Sequence, residues 1–435
     1  MPTDDLLSPE GAEEPTPEPE APELPLLGLR DGLPPVVETV PALLEVCEAV
    51  GSGSGPVAID AERASGYRYS TRAYLIQLRR EGSTTALVDP IAFESLDPLQ
   101  EVLEDTEWIL HAATQDLPCL NELGLRPTRL FDTELAGRLL GYPRVGLATL
   151  VETILGSRLA KEHSAVDWST RPLPEPWLEY AALDVEVLIE LRDALAAELE
   201  ATGKAEWARQ EFDHLRGFEF TPRVDAWRRT SGLHRVRGRR GLAAVRAMWE
   251  TRDQIAEQRD VTPGRILPDS ALVAAALAMP TDRQTLLATK GFHGRGADRY
   301  SSRWVAALTT ARDLPEADLP TRSPRGDGPP LPRAWAEKDP VAARRLVFAR
   351  EALTRLAEEH SLPAENLLTP DDLRRTLWAP PTSRDEASLT EGVRTMLAGL
   401  GARAWQIDLA TPVLVESILR ADAEPDPPAP ESLED

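Results

Sequence analysis

Cysteine is nearly absent from this 435-residue chain, with only Cys47 and Cys119 present. Two thiols cannot staple a chain of this length, and they form no metal-type spacing. A disulfide scaffold is therefore excluded, and a reducing compartment is the expected setting. Also missing is any uninterrupted apolar run of about 18 residues, so the sequence offers no membrane span. The opening stretch MPTDDLLSPEGAEEPTPEPEAPELP has neither the basic nor the apolar segment of a secretory signal. A cytoplasmic protein that does not engage a membrane is the resulting expectation. Lysine is scarce as well, 4 against 44 arginines, a bias typical of GC-rich coding sequence rather than of a selected binding property.

What is plentiful is acid, and its placement matters more than its total. The formal charge is −24, yet residues 1–24 carry eight acids and no base, and residues 421–435 carry six acids and no base. Both ends are rich in Pro and Glu, the composition of a disordered tail. The middle has the opposite sign. From Arg216 to Arg312, eighteen Arg or Lys stand against nine Asp or Glu, most densely in RRTSGLHRVRGRR, Arg228 to Arg240. A solvated helix face can carry such a run, and so can a basic nucleic-acid surface inside an acidic protein.

A chain of this length, 42% hydrophobic and 28% charged, is expected to fold as two or three globular units. Composition breaks divide it into an acidic disordered tail (1–28), a first domain (29–215), a basic linker (216–237), a second domain (238–313), a Pro/Gly-rich linker (314–334), a third domain (335–420) and an acidic tail (421–435). The first domain mixes the strand-like runs PVAID, AYLIQL, TTALVD and WILHAA with helical periodicity, which implies an α/β domain with a mixed sheet. The second and third read as all-α, with apolar residues at i, i+3, i+4 and i+7 in LAAVRAMWETRDQIAEQRD and ARRLVFAREALTRLAEEH.

Within the first domain, Asp60 and Glu62 end an apolar strand. The two-residue period of a strand points both carboxylates to one side, as a hard-metal site needs, although D-x-E also arises by chance or as a salt-bridge pair. Tyr180 and Asp184 share one face of a helix at i, i+4 spacing. There a phenol can orient a metal-bound water, or simply pack beside a helix salt bridge. Asp116 starts the helix after WILHAA, where an Asp can equally satisfy backbone N–H groups. His111 is a candidate base or substrate contact, and equally a hydrogen-bonded structural residue. Arg171 is a candidate phosphate contact or an ion-pair partner of Asp167.

Taken in order, D-x-E on a first strand, Asp after a later strand and Y-x-x-x-D on a late helix resemble the motifs of the DEDD exonucleases, tyrosine subclass. With LIQL (75–78), HAATQDLPCL (111–120), FDTELAGRLLG (131–141), DWSTRPL (167–173) and YAALD (180–184), residues 35–215 resemble ribonuclease D. Residues 238–313, with RDVTPGRILPD after a helix, resemble the helicase-and-ribonuclease-D C-terminal (HRDC) domain. SLPAENLLTPDDLR in the third domain resembles DVTPGRILPDSALV, implying a second HRDC-like unit. One departure is Arg63, which follows Glu62 where the family commonly has an apolar or aromatic residue; Tyr67 and Tyr69 lie nearby.

The resemblance implies a ribonuclease H-like exonuclease domain followed by two HRDC-type helical domains. It also implies 3'→5' removal of 5'-nucleoside monophosphates using two divalent cations, Mg²⁺ or Mn²⁺, on Asp60, Glu62, Asp116 and Asp184. The absence of Cys and His from that set favours these ions over zinc. Tyr180 would position the attacking water. The implied partner is RNA with a free 3' end, such as a transfer-RNA precursor or other structured RNA, and nothing in the sequence demands an oligomer. A DNA-directed exonuclease and a non-catalytic HRDC scaffold are the rival readings.

Overall fold

The computed structural model describes residues 24–160, 163, 165–322 and 328–424. Six strands form one mixed sheet: β1 (Val36–Val37), β2 (Ser54–Arg63), β3 (Ala73–Glu81), β4 (Ala86–Val88), β5 (Glu107–Leu110) and β6 (Arg129–Asp132), in the spatial order β1-β4-β3-β2-β5-β6. β2 pairs antiparallel with β3 and parallel with β5, so it is central and covered on both faces. That explains why its Val57-Ala58-Ile59 run is apolar without alternation. β6 falls in a stretch whose sequence reads as helical. It is only four residues long, which leaves no period for the sequence to display.

Helices α1 (Val40–Ser52), α2 (Asp97–Leu103) and α3 (Leu117–Glu122) cover one face, packing on Val57, Ile59, Ile76, Leu78 and Trp108. The helices that follow in sequence are α4 (Thr133–Leu140), α5 (Leu147–Leu150), α6 (Glu175–Glu186), α7 (Leu188–Ala201) and α8 (Ala205–Arg216). On the other face Ala181 and Ala182 of α6 meet Leu75 and Leu87, while Val185 of α6 and Leu188 of α7 meet Ala58 and Ile109. Small residues on both sides of this contact let α6 approach the sheet closely.

Beyond residue 216 the described residues are helical. A separate core forms around α9 (Arg239–Arg259) from Leu242, Met248, Leu272, Trp304 and Leu308. Trp227, Val236 and Leu319 are buried in that same core, so both stretches expected to be linkers contribute to it; their Pro, Gly and Arg content hid a few anchoring apolar residues. The last unit contains helices Pro340–Glu359, Ala364–Leu367 and Pro370–Trp378. Their order and lengths repeat those of α9, Pro263–Ile266 and Asp269–Ala278.

That last unit has no core of its own. Trp335, Leu346, Leu353, Trp405 and Leu414 join Phe131, Leu139, Leu195 and Phe212 of the first domain in one cluster. Trp207 stacks on Trp405 at 4.8 Å, and the buried Glu211 accepts hydrogen bonds from Arg403 Nε (2.7 Å) and Trp405 Nε1 (2.8 Å). Lys204 Nζ bridges the carbonyls of Leu139 and Ser361 at 2.7 and 3.3 Å. Gly141, at φ +85°, lies so close to Ser361 that any side chain there would strike its carbonyl.

Residues 24–28 and 421–424, the described parts of the two expected tails, include residues tied to the fold. Residues 1–23 and 425–435 lie outside the described residues, but Leu27 N–H bonds to Arg158 O and Arg158 N–H to Pro25 O, both at 2.8 Å. Helix Ala404–Ala423 carries Asp422 into ion pairs with Arg345 (2.6 Å) and Arg384 (2.5 Å).

Candidate active site

β2 delivers Asp60 and Glu62 at its C-terminal end, and α6 lays Tyr180 and Asp184 over them. One carboxylate oxygen from each of Asp60, Glu62 and Asp184 falls within 4.8 Å of the others. They line a cleft of about 420 Å³ together with Arg63, His111, Gln115, Asp116, Thr149 and Tyr180. The β2–β3 register shifts between Glu62 and Arg63. Such a bulge re-aims the following side chain, and so Arg63 enters the cleft that strict alternation would turn it away from.

Asp116 reaches the same cleft by another route. β5 ends at Leu110, and Ala112 turns the chain at φ 59°. The buried Asp132 carboxylate holds that turn by accepting from Ala112 N (3.2 Å), Ala113 N (2.8 Å) and Leu135 N (3.1 Å). Asp116 then caps α3 by position only, its side chain making no capping hydrogen bond. Its carboxylate is thus not spent on the helix, contrary to the structural job its position suggests. Instead Asp116 Oδ1 lies 3.8 Å from Arg63 Nη2.

The electrostatics follow from crowding. Burial pushes the Glu62 carboxyl up to about 10, with Asp60, Asp184 and Asp116 adding to it. Burial raises Asp60 too, opposed by the Ala61 N–H and Arg63, and raises Asp116 well above the carboxylate range, reinforced by Asp60 and opposed by Arg63. Burial keeps the Tyr180 phenol protonated, aided by Asp184 and Glu62, and the hydroxyl bonds to the Asp184 carboxylate. His111 Nδ1 sits 2.9 Å from Thr133 Oγ1, whose hydroxyl donates to the Leu110 carbonyl at 3.3 Å. Nδ1 therefore carries the proton and the ring is neutral, its pKa lowered by burial to about 4.

The family model described as 3'-5' exonuclease matches residues 35–200. The ribonuclease D of Acidiphilium cryptum is 30% identical over 397 residues, spanning 86% of this chain and 97% of that protein. The chain belongs to the ribonuclease D family. It is a 3'-5' exonuclease, with an acidic cluster compatible with divalent metal ions. Further family models match residues 241–308 (HRDC domain) and 328–418 (3' to 5' exonuclease C-terminal domain). A crystal structure of a protein from Bifidobacterium adolescentis is 37% identical with a TM-score of 0.83, covering 91% of this chain and all of that one. The structure of Escherichia coli RNase D, described as an exoribonuclease involved in structured RNA processing, is 28% identical with a TM-score of 0.62. It covers 84% of this chain and 98% of that one.

Of the two expected substrate contacts, His111 lines the cleft and Arg171 is engaged elsewhere. Arg171 does not pair with Asp167. Its Nε bonds to Asp89 Oδ2 at 2.6 Å, and its other nitrogens reach the carbonyls of Trp168, Thr170 and Tyr74, each at 2.8 Å. The guanidinium therefore braces the sheet, and Arg171 does not line the cleft. Tyr67 and Tyr69 do not line it either. Arg265 lies over the Tyr67 ring at 4.5 Å, and the Tyr69 hydroxyl bonds to Asp253 at 3.0 Å. Asp260 Oδ1 accepts from Tyr69 N (3.2 Å) and Ser70 N (2.9 Å), and Thr262 N donates to Tyr67 O (3.1 Å). The β2–β3 loop is thus the docking point of the HRDC unit, a few residues beyond Glu62. The cleft wall at Gly146, Leu147 and Thr149 is silent in the sequence, where no charged residue marks it.

Proposed function

We propose that this chain degrades RNA from its 3' end, releasing 5'-nucleoside monophosphates, with Asp60, Glu62, Asp116 and Asp184 holding two divalent cations, Mg²⁺ or Mn²⁺. The observation that carries the reading is the convergence of Asp60, Glu62 and Asp184 within 4.8 Å on the floor of one cleft. All-oxygen donors suit a hard cation. A buried carboxyl pushed to about 10 by burial and its acidic neighbours is one that a nearby divalent charge would restore to the ionised form. When bound, the cations supply charge neutralisation at the phosphodiester and lower the pKa of water. Tyr180, held as a phenol by burial and by Asp184, orients the attacking water through its hydroxyl. Neutral His111 offers Nε2 as an acceptor at the cleft edge.

Substrate preference rests on the helical units. Of the Arg-rich stretch, Arg228 and Arg239 bond to Asp225 and to the Thr321 and Leu319 carbonyls, while Arg229, Arg235 and Arg237 stay exposed and suit phosphate contact. Transfer-RNA precursors or other structured RNAs are the proposed substrates, handled by a cytoplasmic monomer whose third unit is HRDC-like. No helix among the described residues is long and apolar enough to cross a membrane.

Matched RNA and DNA oligomers with free or blocked 3' ends, incubated with Mg²⁺ or Mn²⁺, test the proposal. RNA with a free end should shorten stepwise to 5'-monophosphates. Asp60→Asn should slow this by about 10³-fold or more, the rate equivalent of several kcal/mol of lost metal stabilisation. Faster loss of DNA would overturn the substrate assignment, and an active Asp60→Asn enzyme would overturn the site.

A further inference from the structure

Gln77 lies on β3 directly opposite Asp60 on β2, and opposite Leu87 of β4 on its other side. Directly opposed residues of antiparallel strands project to the same face with Cβ atoms about 5 Å apart. Gln77 therefore shares the α6 face with Asp60, beneath the helix that carries Tyr180 and Asp184. It has no solvent exposure at all. Among the described residues, neither its amide nitrogen nor its carbonyl oxygen has a hydrogen-bond partner.

A fully buried primary amide with every polar atom unpaired is costly, and the apolar surroundings supplied by Leu75, Leu87, Ala181 and Ala182 would accept Leu or Met there. Stability does not explain the amide. The polar group directly across from its side chain is the Asp60 carboxylate. Carboxylates that hold a cation are themselves oriented by a second ring of hydrogen-bond donors. We infer that Gln77 is a positioning residue for Asp60: its amide N–H donates to the Asp60 oxygen turned away from the cation and fixes the carboxylate's rotation when the site is loaded. The inference rests on Asp60 being a cation ligand. It adds a donor from β3, a strand that contributes no residue to the cleft.

Gln77→Met keeps the side-chain length and removes both polar atoms, and Gln77→Leu checks that shape is not the cause. Mn²⁺ affinity is read by calorimetry on the full chain, beside melting temperature without metal and kcat and KM on an RNA oligomer. The expected result for both variants is a melting temperature equal to or above wild type. Mn²⁺ binding should weaken by about tenfold or more, the usual consequence of losing an outer-shell partner, and kcat should fall with KM unchanged. Wild-type Mn²⁺ affinity in Gln77→Met would overturn the inference. A lowered melting temperature with unaltered affinity would show a packing role and overturn it equally. Asp60→Asn, titrated in parallel, separates the two claims. If it also binds Mn²⁺ like wild type, the ligand assignment fails. If it alone loses affinity, only the role of Gln77 does.

Discussion

Arg63 Nη2 stands 3.8 Å from Asp116 Oδ1, the guanidinium partly exposed and the carboxylate buried. A resident positive charge thus sits beside one of the four acids proposed to hold cations, at the residue where this chain departs from the family pattern. Asp116 is also the acid outside the group that converges within 4.8 Å. A cation held by Asp116, as proposed, would compete with Arg63 for the same carboxylate.

Replacing Arg63 with Leu removes that competitor. The divalent ion concentration giving half-maximal activity should fall about two- to fivefold, the equivalent of a partly exposed ion pair worth ~0.4–1 kcal/mol. A metal titration of RNA degradation measures it. An unchanged or higher midpoint would mean that Arg63 serves the substrate rather than restraining Asp116.

Tyr180→Phe deletes one hydroxyl and keeps the ring that packs edge-on to His163 at 5.9 Å. The rate should drop by about 10²-fold, as for loss of a group that handles the reacting water, with Mn²⁺ affinity and KM retained. Single-turnover kinetics on an RNA oligomer would decide between this and a structural role, which would lower the melting temperature instead.

His111 makes stability depend on pH. Its folded value of about 4 lies below the ordinary 6.5, so between these pH values the unfolded chain binds a proton that the folded chain refuses. Its contribution to stability is complete above pH 6.5 and is lost as pH falls towards 4. Asp132, raised by burial to about 6, acts with the opposite sign, so the comparison must be made against a variant. In His111→Gln the change in unfolding free energy between pH 7 and pH 4.5 should be less unfavourable than in wild type. Parallel urea curves at the two pH values would reveal it.

Combined substitution of Arg229, Arg235 and Arg237 by Ala should weaken RNA binding and flatten its salt dependence. The slope of log affinity against log salt should decrease by about 0.7 for each phosphate that an arginine no longer neutralises. Fluorescence anisotropy across a salt series checks this, and an unchanged slope would place the RNA track elsewhere.

The acids of the site are legible in the sequence because motif order survives there even when each residue alone is ambiguous. Asp60 and Glu62 can be placed together from strand alternation, and Tyr180 and Asp184 from helical spacing. The entry of Arg63 into the cleft cannot, since a bulge breaks the alternation that sequence reasoning relies on. Arg171 escapes such reasoning because its partner Asp89 is 82 residues away, whereas Asp167 lies nearby in the chain. Trp227 and Leu319 show how a Pro- or Arg-rich stretch conceals packing when one or two anchors do all the burying. The fused core is invisible in sequence because hydrophobic periodicity marks that a helix has an inner face, never which neighbour covers it.

Because Trp335, Trp405 and Leu414 complete the packing around Phe131 and Phe212, the nuclease domain and the last helical unit are expected to unfold as one cooperative unit. A chain cut before residue 328 would lose no part of the cleft, yet it would expose the apolar wall that Trp335, Trp405 and Leu414 cover. The HRDC unit has its own core and docks through polar contacts on the β2–β3 loop, so it is the part able to detach while the nuclease stays whole. Calorimetry should record two transitions for the three folded units.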